Sequence, residues 1–328
     1  MAITQLPDPA LTVKVTSCGP AGSATNPAHG ADRTATATFN YFRADLLNVD
    51  HCLARESFEA GFYQDLDSIR QWSSQVRWNR IAVPDFQVFV SNDYKISKAL
   101  VHAWGGRPGQ MEFPAWRVMA RKAAIAHELV HVLFPNANRF LAEGLAVYLQ
   151  AAIGGNPAFP NFGKPLHDLV REHLLEMIPG FSSADLESLE QLHISDLDKI
   201  ATPNPLTLRV GQAFYGEEPR GQARIYSIAG SFVQFLMETR GDEKLRALYL
   251  QTPLMPLTLN AGASDRWLSV YDASLSDLEY EWKAMIVGGD HSAFREESVS
   301  GRQHAEGTVG STTRLQQGEQ QCLKSIPS

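Results

Sequence analysis

The sequence predicts an α+β fold in which a sheet lobe leads into a helical lobe. Three observations carry that expectation. Strand-like alternation is confined to the part before Arg121, and periodic apolar helices dominate after it. The chain is 44% hydrophobic and 20% charged, the balance of a packed globular protein. Its 328 residues allow roughly two lobes at about 150 residues each. The expected division is an N-terminal extended segment (1–33), a sheet lobe ending in the His127–His131 helix (34–135), a helical lobe (136–287) and a polar tail (288–328). The tail has too few aromatic or β-branched anchors to repay its ordering entropy and is expected to be disordered.

Residues 10–17 read as a strand and are followed by turn and linker chemistry. Residues 34–42 alternate with period two and are rich in Thr and Phe, a second strand. Phe58, Phe62, Leu66, Ile69, Trp72 and Val76 recur at steps of three and four, an amphipathic helix with one buried face. Residues 85–90 alternate again. A short helical piece is expected next, then a loop at Gly105-Gly106 and Gly109, then a strand over 110–118 interrupted by Pro114. Residues 123–134 are almost wholly apolar and read as a deeply buried helix that stops at Pro135. Further helices are expected over 140–152, 165–178, 223–240, 243–250 and 276–287, each punctuated by Gly or Pro.

Composition excludes several classes. There are 29 Lys and Arg against 36 Asp and Glu, a formal charge of −7, with no basic block to attract nucleic acid or anionic lipid. No window approaches a membrane-spanning length of apolar residues. The expected partner is therefore a peptide or protein substrate, with neither nucleic acid nor membrane; the oligomeric state is open. Cys18, Cys52 and Cys322 are too few for a disulfide framework, although one Cys18–Cys52 bridge is compatible with an oxidising compartment. The first residues lack a basic start and an apolar run, so the expectation is a cytoplasmic protein or one whose leader has been removed.

One constellation carries chemistry. His127-Glu128-Leu129-Val130-His131 is an H-E-x-x-H motif, expected by chance roughly 0.02 times in a chain of this composition. On a helix, positions i and i+4 share a face, so both imidazoles can converge on one Zn2+. Glu128 is one residue on from the first ligand, where it can act as general base on a metal-activated water without itself being a ligand. The bland alternative is two satisfied core histidines and a paired Glu. It is weakened by the apolar residues on both sides, among which three polar groups would be costly to bury without a strong partner.

Catalytic zinc wants a third protein ligand. Glu143 stands off the stripe of Leu141, Leu145, Tyr148 and Leu149, and residues 135–139 suffice to turn the chain back antiparallel. Gly144 beside it is expected to let this helix approach the His127–His131 helix closely. The alternative is an exposed carboxylate favoured by the helix dipole. His102, His167, His173 and His193 are read as surface or satisfied singles.

The stretches AAIAHELVHVLF and NRFLAEGLAVYLQ resemble the peptidase MA-like gluzincins, in which H-E-x-x-H is followed by a helix reading roughly L-x-E-G-x-A-x-Y. Residues 226–236 with the following Thr239-Arg240-Gly241-Asp242-Glu243-Lys244-Leu245 are similar to that family's later helix and its Arg-Gly-x-x-K-L turn. Residues 275–282 are similar to its closing Leu-Glu-x-x-Trp helix. The resemblance covers about residues 85–287. It implies a zincin-like two-lobed fold, a metallopeptidase with one Zn2+ on His127, His131 and Glu143, and Tyr226 as a candidate for stabilising an oxyanion, with a core tyrosine as its alternative and Arg224 sharing that ambiguity. Two departures stand out: only eleven residues separate His131 from Glu143, and Val147 occupies the place where thermolysin-type enzymes carry an Asp.

The expected function is therefore zinc-dependent peptide hydrolysis with Glu128 as general base. Two other readings stay open, a zinc hydrolase or tailoring enzyme acting on a non-polymeric amide and a non-catalytic zinc-containing binding protein. Residues 110–118 are the candidate edge strand for an extended substrate, because Pro114 cannot donate to a ladder.

Overall fold

The computed structural model describes residues 35–42, 49–81, 83, 85–100, 109–175, 193–201, 219–252 and 261–288. It is a mixed α/β structure with one small mixed sheet and, among the described residues, ten helices. The strands are β1 (Thr36–Tyr41), β2 (Asp85–Ser91), β3 (Lys98–Leu100) and β4 (Gln110–Pro114), in the order β1-β2-β4-β3. β1 and β4 run parallel to β2, while β3 is antiparallel to β4 with Ala99 opposite Met111.

Helix α1 (Val49–Gln75) covers this sheet. Phe58, Phe62, Leu66 and Ile69 are buried, as the periodicity required, and meet the inward side chains of the strands. Phe39 on β1 sets its ring edge against Phe58 and Phe62, Phe62 against Phe86 on β2, and Phe58 against Phe113 on β4. Each such pair adds about 0.5–1.5 kcal/mol beyond the area buried. Cys52 in α1 is disulfide-bonded; its partner is Cys18 or Cys322, both outside the described residues.

Two expectations fail in this part of the chain. The segment before the glycine-rich loop is strand β3, because three residues are too few to show a period. Residues 110–118 form a strand only to Pro114, which caps the next helix, α2 (Ala115–Met119), in extended geometry. β4 also has β2 on one side and β3 on the other, so it is an inner strand, and β3 is the edge. Proline is tolerated there because it pairs at the strand's last position, opposite Ser91.

The remaining helices are α3 (Ile125–Leu133), α4 (Arg139–Ile153), α5 (Leu166–Leu175), α6 (Ile194–Leu197), α7 (Pro219–Arg240), α8 (Asp242–Leu250), α9 (Arg266–Tyr271) and α10 (Leu275–Val287). α3 packs on α1, β3 and α4, and α4 lies between α3 and α7. The buried apolar residues of the sheet and of the helices belong to one cluster running from Phe58 to Ile286. The crossing of α4 and α7 is close because two glycines sit at it. A Cβ on Gly144 would meet Val233 at 2.6 Å and the Ala229 carbonyl oxygen at 2.8 Å, and one on Gly230 would meet Val147 at 2.3 Å. Gly144 therefore admits α7, not α3 as the sequence suggested. Residues 10–17, the Gly105-Gly106 loop and the tail lie outside the described residues.

Candidate metal centre

Helix α3 begins at Ala124, which has no side chain to cap it. Its orphaned amides must find partners elsewhere. The Ala126 amide faces the Asp65 carboxylate of α1, and the His127 amide donates to Gln150 Oε1 of α4 at 3.1 Å. The Glu128 amide reaches the Ala124 carbonyl at 3.2 Å. Asp65 Oδ1 also accepts the Gly155 amide at 2.8 Å, just beyond the end of α4. Gln150 Nε2 donates to the Asn156 carbonyl, and Asn156 Nδ2 to the Ala123 carbonyl. The start of α3 is thus clasped to α1 and to the end of α4 by buried polar groups. Burial pushes the Asp65 carboxyl up to about 6, against the pull of its two backbone donors.

The start of α4 is fixed as firmly. Asn138 Oδ1 caps it by accepting the Leu141 amide, while Asn138 Nδ2 donates to the Asp198 and Ala261 carbonyls. Arg266 and Trp267 Nε1 bond the Asp198 carboxylate, so this node holds the turn between α3 and α4 to α6 and α9. With both helices set, Glu143 is driven into the interior and is 1% exposed.

His127 Nε2, His131 Nε2 and Glu143 Oε2 form a near-equilateral triangle with edges of 3.1, 3.1 and 3.3 Å. Among the described residues this is the one group of its kind that could hold a metal ion. The donor set tests the fit. Tetrahedral bonds of 2.0–2.1 Å place ligand atoms about 3.3–3.4 Å apart, close to what is seen. Glu143 Oε2 is buried and makes no aligned hydrogen bond although two imidazole nitrogens adjoin it. Three lone-pair donors aimed at one another in the interior are what a cation would satisfy. Glu143 Oε1 faces Arg139 Nη2 at 2.5 Å, one helical turn earlier. Burial alone would raise the Glu143 carboxyl, but the Arg139 guanidinium and the His131 imidazole hold it well below the usual carboxylate range.

Glu128 is buried beside this triangle without belonging to it. The Ala99 backbone amide is near enough to favour its charged form, and α3 packs against the edge strand β3. Burial, helped by the Glu143 charge, pushes its carboxyl up to about 7 against His127, Ala99 and Arg139. The Tyr226 ring lies over that of His127, 6.4 Å between centroids at 29°, and its hydroxyl accepts from Arg139 Nη2 at 3.4 Å. Burial and then Glu143 push the phenol up to about 12, so it keeps its proton at neutral pH.

All five site residues named from the sequence, His127, Glu128, His131, Glu143 and Tyr226, therefore come together. Arg139, Asp65 and Gln150 were missed. Val147 is buried against Gly230. His127 Nδ1 has no hydrogen-bond partner. His167 approaches Ser231 Oγ at 2.8 Å and Glu238 at 3.3 Å, a Ser-His-Glu grouping elsewhere in the fold. Ser231 is fully buried and its Oγ also accepts from Trp282, so the grouping braces α5, α7 and α10 and offers no nucleophile. His193 is 3.9 Å from Glu279.

No family model matches the chain, and no curated protein sequence does either. Among the described residues no helix is long and apolar enough to cross a membrane.

Proposed function

We propose that this chain is a zinc-dependent metallopeptidase of the gluzincin kind, with a zincin-like two-lobed fold and one Zn2+ on His127, His131 and Glu143. The observation that carries the reading is the convergence of His127 Nε2, His131 Nε2 and Glu143 Oε2, with Glu128 buried beside them and outside the ligand set. Bound there, zinc would supply Lewis acidity toward a peptide carbonyl and toward water. Glu128 would take the proton of the attacking water and return it to the departing amine. Tyr226, protonated and half-buried against His127, would donate to the carbonyl oxygen as negative charge develops. Arg139 would keep Glu143 anionic and oriented. β3, the edge strand among the described residues, has its Ala99 amide near Glu128 and is where an extended substrate would add as a strand.

A carboxylate placed as Glu128 is has no use in a purely structural metal site, which favours an enzyme over a binding protein. The test is metal analysis of the purified chain together with cleavage of casein and a peptide panel, with and without chelator. About one zinc per chain and chelator-sensitive cleavage are expected. A chain that binds no zinc, or cleaves equally well with chelator, would remove the reading.

A further inference from the structure

We propose that Arg117, Arg121 and Lys122, with Trp116, Phe159 and Phe162, form an anion-selecting rim beside the metal centre, so that the preferred substrate is a peptide bearing a carboxylate near the bond cleaved. This rests on the metallopeptidase reading above.

Three cations fall within six residues on α2 and the turn after it, in a chain of net charge −7. Among the described residues none of the three forms an ion pair, whereas Arg70, Lys98, Arg139, Arg171 and Arg266 all do. Arg117 is the informative one. Its guanidinium carbon stands 5.1 Å from the Trp116 ring centroid and 5.9 Å from that of Phe159. Lys122 Nζ stands 5.9 Å from the Phe162 ring. An arginine held against aromatic faces keeps its N–H edges in the ring-free directions, where a planar carboxylate can dock through two parallel hydrogen bonds.

The rim is continuous with the site. Phe159 packs edge-on to Tyr226 at 5.5 Å, and Tyr226 lies over His127, so two ring contacts separate Arg117 from His127 along this path. Arg117 is half-buried, and the one carboxylate whose charge acts on it is Glu128. Glu128 offsets only part of the cost of desolvating this guanidinium, and an incoming anion would complete the pairing. Trp116 and Phe162 each leave 52% of their surface exposed, flanking that position with rings on which a peptide can lie.

The carboxylate could be an acidic side chain or the C-terminus of the peptide, and matched probes separate them. Labelled hexapeptides would carry a central Glu with an amidated end, a central Gln with an amidated end, or a central Gln with a free carboxylate end. Binding to the Glu128→Gln chain is read by fluorescence anisotropy at two salt concentrations. One charge-assisted pair is expected to make an anionic probe bind about tenfold more tightly than the neutral one. That preference should vanish in Arg117→Gln, and shrink in the exposed Arg121→Gln/Lys122→Gln double variant and at higher salt. Which anionic probe wins names the source of the carboxylate. Equal binding of all three probes, no binding of any, or a preference that survives Arg117→Gln overturns the proposal. Absence of chelator-sensitive cleavage with the preference intact removes the peptidase reading alone; cleavage without the preference removes the rim alone.

Discussion

Arg139 Nη2 lies 2.5 Å from Glu143 Oε1, one turn apart on α4, so the two oxygens of one carboxylate face different tasks. Oε2 points to the imidazoles and Oε1 is neutralised from within the helix. Removing one partner of a buried pair leaves the other charge uncompensated. Arg139→Met should therefore destabilise the metal-free protein by about 3 kcal/mol, the lower end for such pairs because a quarter of the Arg139 side chain is exposed. Adding Glu143→Met should restore part of the loss. Urea denaturation of the two single variants and the double variant measures the coupling, and strictly additive losses would show that the pair is not coupled.

Glu128→Gln separates base from ligand. The amide is nearly isosteric and the metal triangle does not include Glu128, so zinc content and melting temperature should match the parent. Peptide turnover should fall by several orders of magnitude, because the proton acceptor is gone. Turnover close to the parent's would remove Glu128 from the proposed mechanism. Loss of zinc would instead make it a ligand.

The α4–α7 crossing gives a prediction about the scaffold. A methyl at Gly144 would meet a backbone carbonyl oxygen at 2.8 Å, which no rotamer change relieves. A methyl at Gly230 would meet the Val147 side chain at 2.3 Å. Overpacking costs typically 1–3 kcal/mol, and both alanine variants should fall at the upper end, near ~3 kcal/mol. The double variant Gly230→Ala/Val147→Ala should recover part of the stability, since the nearest Val147 methyl is removed although its Cβ stays at 2.9 Å. Thermal denaturation of the three proteins decides it, and a neutral Gly144→Ala would show that the crossing is looser than described.

What could be read from the sequence follows from how far apart the cooperating residues lie. His127, Glu128 and His131 are visible because the helix itself brings them together, and Glu143 because one short turn does. Tyr226 was a candidate only through the resemblance and a general role for phenols. The clasp at the start of α3 was invisible: Gln150 is 23 residues from His127 and Asp65 is 90 from Gly155, and neither pairing leaves a local pattern. β3 was misread because Lys98–Leu100 has no room for alternation. Pro114 was read as an interruption when it both ends β4 and caps α2. Gly144 was rightly marked as a close approach, but one sequence position cannot say which neighbour approaches.

Asp65 makes the stability of the metal helix depend on pH in a direction opposite to that of most carboxylates. Its carboxyl rises from an ordinary 3.8 to about 6 on folding, because burial disfavours the anion more than the Ala126 and Gly155 amides favour it. Between about pH 4 and pH 6 the native chain therefore keeps a proton that the unfolded chain has lost. Stability from this group is fully present below pH 4, falls as pH rises through 6 and is flat above. Asp65→Asn keeps an oxygen to accept the amides but cannot titrate. The stability difference between parent and variant should thus move by about 2 kcal/mol in the variant's favour between pH 4.0 and pH 7.5. Paired urea titrations at these two values measure it, and comparing the pair cancels every other titrating group. Parallel pH profiles would mean that Asp65 titrates in the native chain as it does in the unfolded one, with its unpaired Oδ2 reached by water.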